Sequence, residues 1–346
     1  MTGPEDSGPI ERSVQGAVDW LDSRTSLSGS LESSVYKRVP LHRYSVFYLA
    51  GGACLFVFGM QALTGLLMLL YFQATPEVAH DSLRRIMSIP YGWLVRSLHS
   101  WGADVFLVFL LGHFSTAYLM RAYRSPRQLT WMTGFTVLVL ALVFHSTGAS
   151  LAWNDPVRAG DRTRVERPGP PAAGPAARVA ADPGLADQLT RAYLIHVLVL
   201  PVAVILLVGL HLALVQRHGM STPADVRPVR DIPFFPVVAL IDQAVWMALF
   251  AGLLAAASLR PATLASRTEN ILFGSLQMLR RWAVSACGPW GAWVVDGALA
   301  ALAVAWVTLP FWDRGAERRR RTRAARVIGL ATAALIVAAI AAGARN

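Results

Sequence analysis

VRSLHSWGADVFLVFLLGHFSTAYLM, Val95 to Met120, is apolar enough to cross a bilayer, yet it carries two histidines, His99 and His113, fourteen residues apart. A spanning helix needs about 20 mainly apolar residues. An ionisable side chain inside such a helix is costly and marks function by default. The stretch therefore decides both the class of the chain and where its chemistry should lie. A second stretch, RAYLIHVLVLPVAVILLVGLHLALVQRHG, repeats the pattern with His196 and His211 fifteen residues apart.

Helix geometry gives these spacings meaning. At 1.5 Å and 100° per residue, fourteen residues climb about 21 Å and return to within about 40° of the starting face, and fifteen climb about 22.5 Å and return to within about 60°. Each helix thus offers one imidazole near each edge of a hydrocarbon core about 30 Å thick. If the two helices run antiparallel, His99 faces His196 near one surface and His113 faces His211 near the other. Facing imidazoles in a dry bundle suit a haem iron. With both axial positions filled, such a haem has no open site for oxygen chemistry and only passes electrons. Glycines fit the same period. Gly51 and Gly65 are fourteen apart, as are Gly134 and Gly148. Glycine allows the closest backbone approach in a membrane bundle, so two flanking helices would leave room for two flat macrocycles.

The rest of the chain agrees with a membrane protein. Of its 346 residues, 54% are hydrophobic and 15% charged. Seven candidate spans can be drawn, roughly 45–72, 95–120, 130–151, 191–215, 235–258, 291–311 and 325–343. The expected fold is an all-α polytopic bundle with a four-helix core around two haems. The expected organisation is an N-terminal cytoplasmic or interfacial segment over 1–44, a diheme module over 45–217 and a three-helix module over 218–346. The first 44 residues are polar, and the first apolar run is too long and too late for the h-region of a signal peptide.

The net charge of +11 follows topology rather than a nucleic-acid footprint. With the N-terminus in the cytoplasm, the loop after the second span carries Arg121, Arg124 and Arg127, and DRGAERRRRTRAAR carries seven arginines. That is a positive-inside bias in the short loops that count most. It points to lipid headgroups as the basic residues' partner and puts the C-terminus on the outer, periplasmic side of an inner membrane. Cys54 and Cys287 form no CxxC or CxxCH pattern, so neither zinc nor a c-type haem is indicated.

FYLAGGACLFVFGMQALTG, YGWLVRSLHSWGADVFLVFLLGH, SPRQLTWMTG, STGASLAWND, LTRAYLIHVLVLP and DIPFFPVV resemble the cytochrome b family of bc and b–f type quinol-oxidising complexes over nearly all of residues 15–335. The fifteen-residue histidine spacing, seven spans and VDWLDSR near the N-terminus resemble the shorter b–f-like branch, with its second module fused here. The resemblance implies that His99 and His196 bind a lower-potential haem b near the outer face. His113 and His211 would bind a higher-potential haem b near the cytoplasm. Arg96 matches an arginine near a haem propionate, with Arg127 a weaker candidate of the same kind; membrane-edge snorkelling is the alternative for each. Leu49 stands where the b–f branch has the cysteine of an extra covalent haem, so none is expected.

Quinol and quinone are the implied substrates. The implied partners are a Rieske iron–sulfur protein and a c-type cytochrome in a multisubunit, dimer-forming complex. Two quinone-site residues follow by position. Glu269, in Thr268-Glu269-Asn270-Ile271, falls where the family has the glutamate of Pro-Glu-Trp-Tyr and is the candidate outer proton acceptor; a solvated loop acid is the alternative. Asp242 falls on the inner quinone-binding aspartate, with Ile241 in place of its lysine neighbour. Ala152 replaces a proline in the SLAW segment, and the loop after it is Pro/Ala-rich. His145 stands where a glycine is usual, either tuning the outer site or hydrogen-bonded locally. His218 and Arg217 either serve the inner site or face water. His42 and His80 read as surface residues. These departures leave open a diheme electron conduit that does not oxidise quinol at its outer face; a non-redox transporter or structural subunit is the remaining class.

Overall fold

The computed structural model describes Gly16 and residues 37–75, 78–151, 184–223, 226–263, 271–313, 325 and 327–332. Within them the helices are α1 (Leu49–Leu69), α2 (Ala79–Ser88), α3 (Gly92–Leu119), α4 (Gln128–Leu151), α5 (Gly184–Leu194), α6 (Leu200–His218), α7 (Ala239–Leu259), α8 (Ile271–Cys287) and α9 (Pro289–Trp312). Six apolar helical stretches among the described residues are long enough to cross a membrane: Ser45–Leu69, Gly92–Leu119, Gln128–Leu151, Asp187–His218, Phe234–Leu259 and Pro289–Trp312. They coincide with the first six spans read from the sequence. The seventh lies largely outside the described residues; its first turns, Ala325 and 327–332, are helical.

These helices show apolar side chains outward, as lipid-facing helices must. Leu63, Val108, Leu206 and Leu240 are each more than 60% exposed. Trp290 and Trp293 at one end of α9 and Trp312 at the other are exposed as well, as expected of aromatic side chains at the two membrane–water interfaces. The fold and this surface make the chain an integral membrane protein.

The packing explains how the core is assembled. Helix α3 lies against α1, and α4 against α6, with α7 covering α1 and α3. Val57, Met60, Leu98, Leu253 and Ala257 form the cluster joining α1, α3 and α7. Helix α9 packs on α4 through a ring cluster of Phe114, Trp131, Trp306, Tyr118 and Tyr123. The Trp131 indole donates to the Trp306 carbonyl at 2.7 Å. Below it Asp313, 1% exposed, accepts from Tyr123 Oη at 2.6 Å and Arg124 Nη2 at 2.9 Å. A buried carboxylate is tolerable only when so paired. The opening turns of the seventh helix join the cluster, with the Trp306 indole donating to Thr332 at 2.8 Å. Helices α8 and α9 form a close hairpin in which Gly291 meets the Ala283 carbonyl.

One element departs from the all-helical expectation. Arg38–Leu41 (β1) pairs antiparallel with Arg230–Pro233 (β2), Val39 opposite Ile232. The pair ties the segment before α1 to the segment before α7, which an even number of crossings leaves on one side of the membrane. His42 closes this corner and is buried at 6% exposure, contrary to its surface reading. Its Nδ1 accepts from the Tyr44 backbone N–H at 3.1 Å, and Nε2 bonds the Tyr48 hydroxyl at 2.6 Å, which donates to the Ser221 carbonyl at 3.0 Å. Burial lowers the His42 pKa, which suits an imidazole accepting a backbone proton. His80, on α2, is half-buried.

Candidate functional site

Four histidines and four glycines meet in pairs between the helices. A methyl group added at Gly51 would lie 3.3 Å from the His113 ring, at Gly65 3.3 Å from His99, at Gly134 3.0 Å from His211 and at Gly148 2.8 Å from His196. Each glycine therefore faces one imidazole from the neighbouring helix. The vacated Cβ space is what lets the ring sit against the backbone.

His99 of α3 and His196 face each other with ring centroids 6.5 Å apart and planes at 70°. A metal–imidazole nitrogen bond is about 2.0–2.1 Å, so a metal held linearly between two rings separates their centroids by roughly 6.4 Å. The observed gap fits one iron. His113 and His211 lie within electrostatic reach of each other at the other end of the same helices. The ligand-type residues thus form two stations stacked along the bundle.

The fifteen-residue spacing has a local explanation. His196 sits in a π turn, Ile195–Val199, between α5 and α6. Such a turn absorbs one extra residue, so fifteen residues here do the work of fourteen and bring both rings to nearly one face. Pro201, at the start of α6, has no N–H to close the α-type bond to Val197, which favours the wider turn. The sequence reading took a plain helix and expected a larger offset.

Three threonines missed in the sequence complete the shell. Thr64 Oγ1 lies 2.9 Å from His99 Nδ1, Thr133 Oγ1 3.1 Å from His211 Nδ1, and Thr147 Oγ1 3.0 Å from His196 Nδ1. Each directly precedes a site glycine, and that Thr-Gly repeat was the available signal. The fourth glycine follows Ala50, and His113 Nδ1 is buried without a hydrogen-bond partner among the described residues.

The other candidates fall as follows. Arg96, 6% exposed, donates to the Ala262 carbonyl at 2.8 Å and the Thr263 carbonyl at 3.3 Å, with Met87 sulfur at 3.8 Å. Arg127 donates to the His218 and Met220 carbonyls at 2.9 and 3.2 Å, tying α4 to the end of α6. Asp242 packs on Gly52, where an added methyl would meet its carboxylate at 2.8 Å, beside the glycine facing His113. Its Oδ1 and the indole nitrogen of Trp246, one turn further along α7, are buried without partners among the described residues. His145 bonds Asp104 of α3, Nε2 to Oδ1 at 2.9 Å, so a local partner exists. Glu269 and Ala152 lie outside the described residues.

A membrane helical bundle with two stations of paired, glycine-backed histidines is the frame of a b-type cytochrome. Models described as cytochrome b/b6/petB and cytochrome b(N-terminal)/b6/petB match residues 35–156 and 104–266. A cytochrome bc complex cytochrome b subunit of Chlorobaculum thiosulfatiphilum is 31% identical, covering 96% of this chain and 82% of the relative. Cytochrome b6 of Synechococcus sp. (strain JA-3-3Ab) is 33% identical over 59% of this chain and 97% of its own length. Cytochrome b6 of Heliobacterium mobile is 30% identical over 60% of this chain and its whole length. A solved hyperthermophilic respiratory Complex III chain shares the fold with a TM-score of 0.62 at 24% identity, covering 94% of this chain and 98% of that one. The chain belongs to the cytochrome b family. It is a membrane-embedded electron-transport protein of the kind found in bc- and b6-type complexes, and membership implies b-type haem.

Proposed function

We propose that this chain is the diheme subunit of a Rieske/cytochrome b complex, carrying electrons between quinol oxidation at the outer face and quinone reduction at the cytoplasmic face. The carrying observation is the set of four glycine–histidine contacts, with the His99 and His196 ring centroids 6.5 Å apart. His99 and His196 would hold one non-covalent haem b, and His113 and His211 a second. Bound there, the group would supply reversible one-electron chemistry.

The chain's own residues do the rest. The glycines leave space beside each imidazole where a macrocycle would lie, and the apolar helices exclude water. Arg96 and Arg127 are the cations nearest in role to propionate partners; bonds to backbone carbonyls hold both now. Asp242, with a buried carboxylate oxygen lacking a partner among the described residues, is the inner quinone ligand and proton donor, and Glu269 the outer proton acceptor. The three-module division at 44 and 217, a cytoplasmic N-terminus, an outer C-terminus, a multisubunit dimer-forming complex, and Rieske and c-type cytochrome partners belong to the same reading.

A second reading is favoured by Thr268-Glu269-Asn270-Ile271 standing where Pro-Glu-Trp-Tyr is expected. There the chain is a diheme conduit or quinone reductase fed by another redox partner. Quinol added to the purified complex separates the two. Quinol-driven reduction of both haem signals, abolished by an inhibitor that occupies the outer site, supports the first. Haems reducible by dithionite but not by quinol through that site support the second.

A further inference from the structure

We propose that Thr64, Thr133 and Thr147 are positioning residues for three of the four ligand histidines. We propose further that the hydroxyl missing at Ala50 is one cause of the higher reduction potential that the resemblance implies for the His113/His211 station. This rests on the reading of the four histidines as axial ligands.

The argument starts from one proton. A threonine hydroxyl has a single hydrogen to donate. Thr64 aims it at the Met60 carbonyl at 2.8 Å, Thr133 at Leu129 at 3.0 Å and Thr147 at Val143 at 2.9 Å, each four residues back in its own helix. Toward the imidazole the oxygen is therefore an acceptor. The facing Nδ1 must carry the ring proton, and a neutral imidazole then has its lone pair on Nε2. Three hydroxyls, together with the backbone carbonyls of Gln61, Phe144 and Thr130 beside the His99, His196 and His211 rings, thus favour the tautomer that binds metal through Nε2.

The same bond tunes the ligand. An imidazole that donates its second N–H is a more basic ligand. A more basic ligand stabilises the ferric state over the ferrous and lowers the potential. The His99/His196 station has two such bonds, at 2.9 and 3.0 Å. The His113/His211 station has one, at 3.1 Å, because residue 50 is alanine and His113 Nδ1 has no partner among the described residues. The unequal count favours electron flow from the first station to the second. The residue that precedes each site glycine contributes to that direction.

The test is a redox titration of the purified holoprotein, with each signal assigned by its loss in a His99 or His113 variant. T147V removes one bond from the His99/His196 station and raises its potential. The equilibrium constant for electron transfer to the other station falls about tenfold, equivalent to about 59 mV for a one-electron couple. T133V raises the potential of the His113/His211 station and widens the gap. T147S restores the wild-type value. A50S adds one oxygen and removes no contact; it lowers the His113/His211 potential and carries the test should a Thr→Val variant not assemble. Haems bound in wild type and A50S with unmoved potentials overturn the inference alone, as do T147V and T133V changing the gap in the same sense. A wild-type protein without haem overturns the inference together with the reading beneath it.

Discussion

The two halves of this bundle solve opposite packing problems. Helices α1, α3, α4 and α6 keep space between them, with glycines where an added methyl would stand 2.8 to 3.3 Å from an imidazole. Helices α7 to α9 fill space instead. Trp306 interlocks with Phe114, Tyr118 and Trp131, and Asp313 is sealed beneath them with Tyr123 and Arg124. The first half gives up packing to admit a cofactor. The second half supplies the rigidity that the first lacks, through α9 on α4 and α7 on α1 and α3. The lesson is that ligand binding and scaffold stability are separable here, and substitutions should separate them.

The largest expected effect is loss of a ligand. His196→Leu should remove the His99/His196 haem signal and leave the other, read in reduced-minus-oxidised spectra. Loss of both signals would mean that the stations are not independent. Next comes the scaffold. Asp313→Ala takes a fully buried carboxylate from Tyr123 Oη and Arg124 Nη2, and breaking a buried pair costs about 3–5 kcal/mol. A lower thermal midpoint with unchanged haem spectra is expected; altered spectra in the correctly folded fraction would deny the separation.

Smaller still is overpacking beside a ligand. Gly148→Ala places a methyl 2.8 Å from His196 and should cost about 1–3 kcal/mol, seen as reduced haem retention on heating. Gly51→Ala and Gly65→Ala, at 3.3 Å, should fall at the low end of that range. Equal losses at all four glycines would break the gradient that the distances predict. The mildest change is Asp242→Asn, which should leave both haem signals intact and slow quinone reduction at the inner site.

Much of this was legible in the sequence, for definite reasons. Helix periodicity is rigid, so glycines and the first histidine pair, each spaced by fourteen, return close to one face, and Gly51, Gly65, Gly134 and Gly148 do meet His113, His99, His211 and His196. The six apolar spans were equally plain, since length and hydropathy are properties of the local chain. Less was visible where the partner is distant. The β1–β2 pair joins segments about 190 residues apart, and nothing in RVPL announces RDIP as its partner. His42 was misread for the same reason, since its burial depends on Tyr48 and Ser221. The π turn at His196 needed the backbone path to be seen, although Pro201 was a clue. The threonines were overlooked because Thr is ordinary in membrane helices; only their contact with Nδ1 distinguishes them.

The most direct measurement of the central claim is haem stoichiometry. The protein is purified from membranes in detergent, its pyridine haemochrome is quantified against chain concentration, and its four single histidine variants are treated alike. The account predicts about two non-covalent b-type haems per chain in the wild type and about one in each variant, with the loss at His99 matching that at His196 and the loss at His113 matching that at His211. One haem per chain in the wild type, or losses that pair His99 with His113, would contradict it.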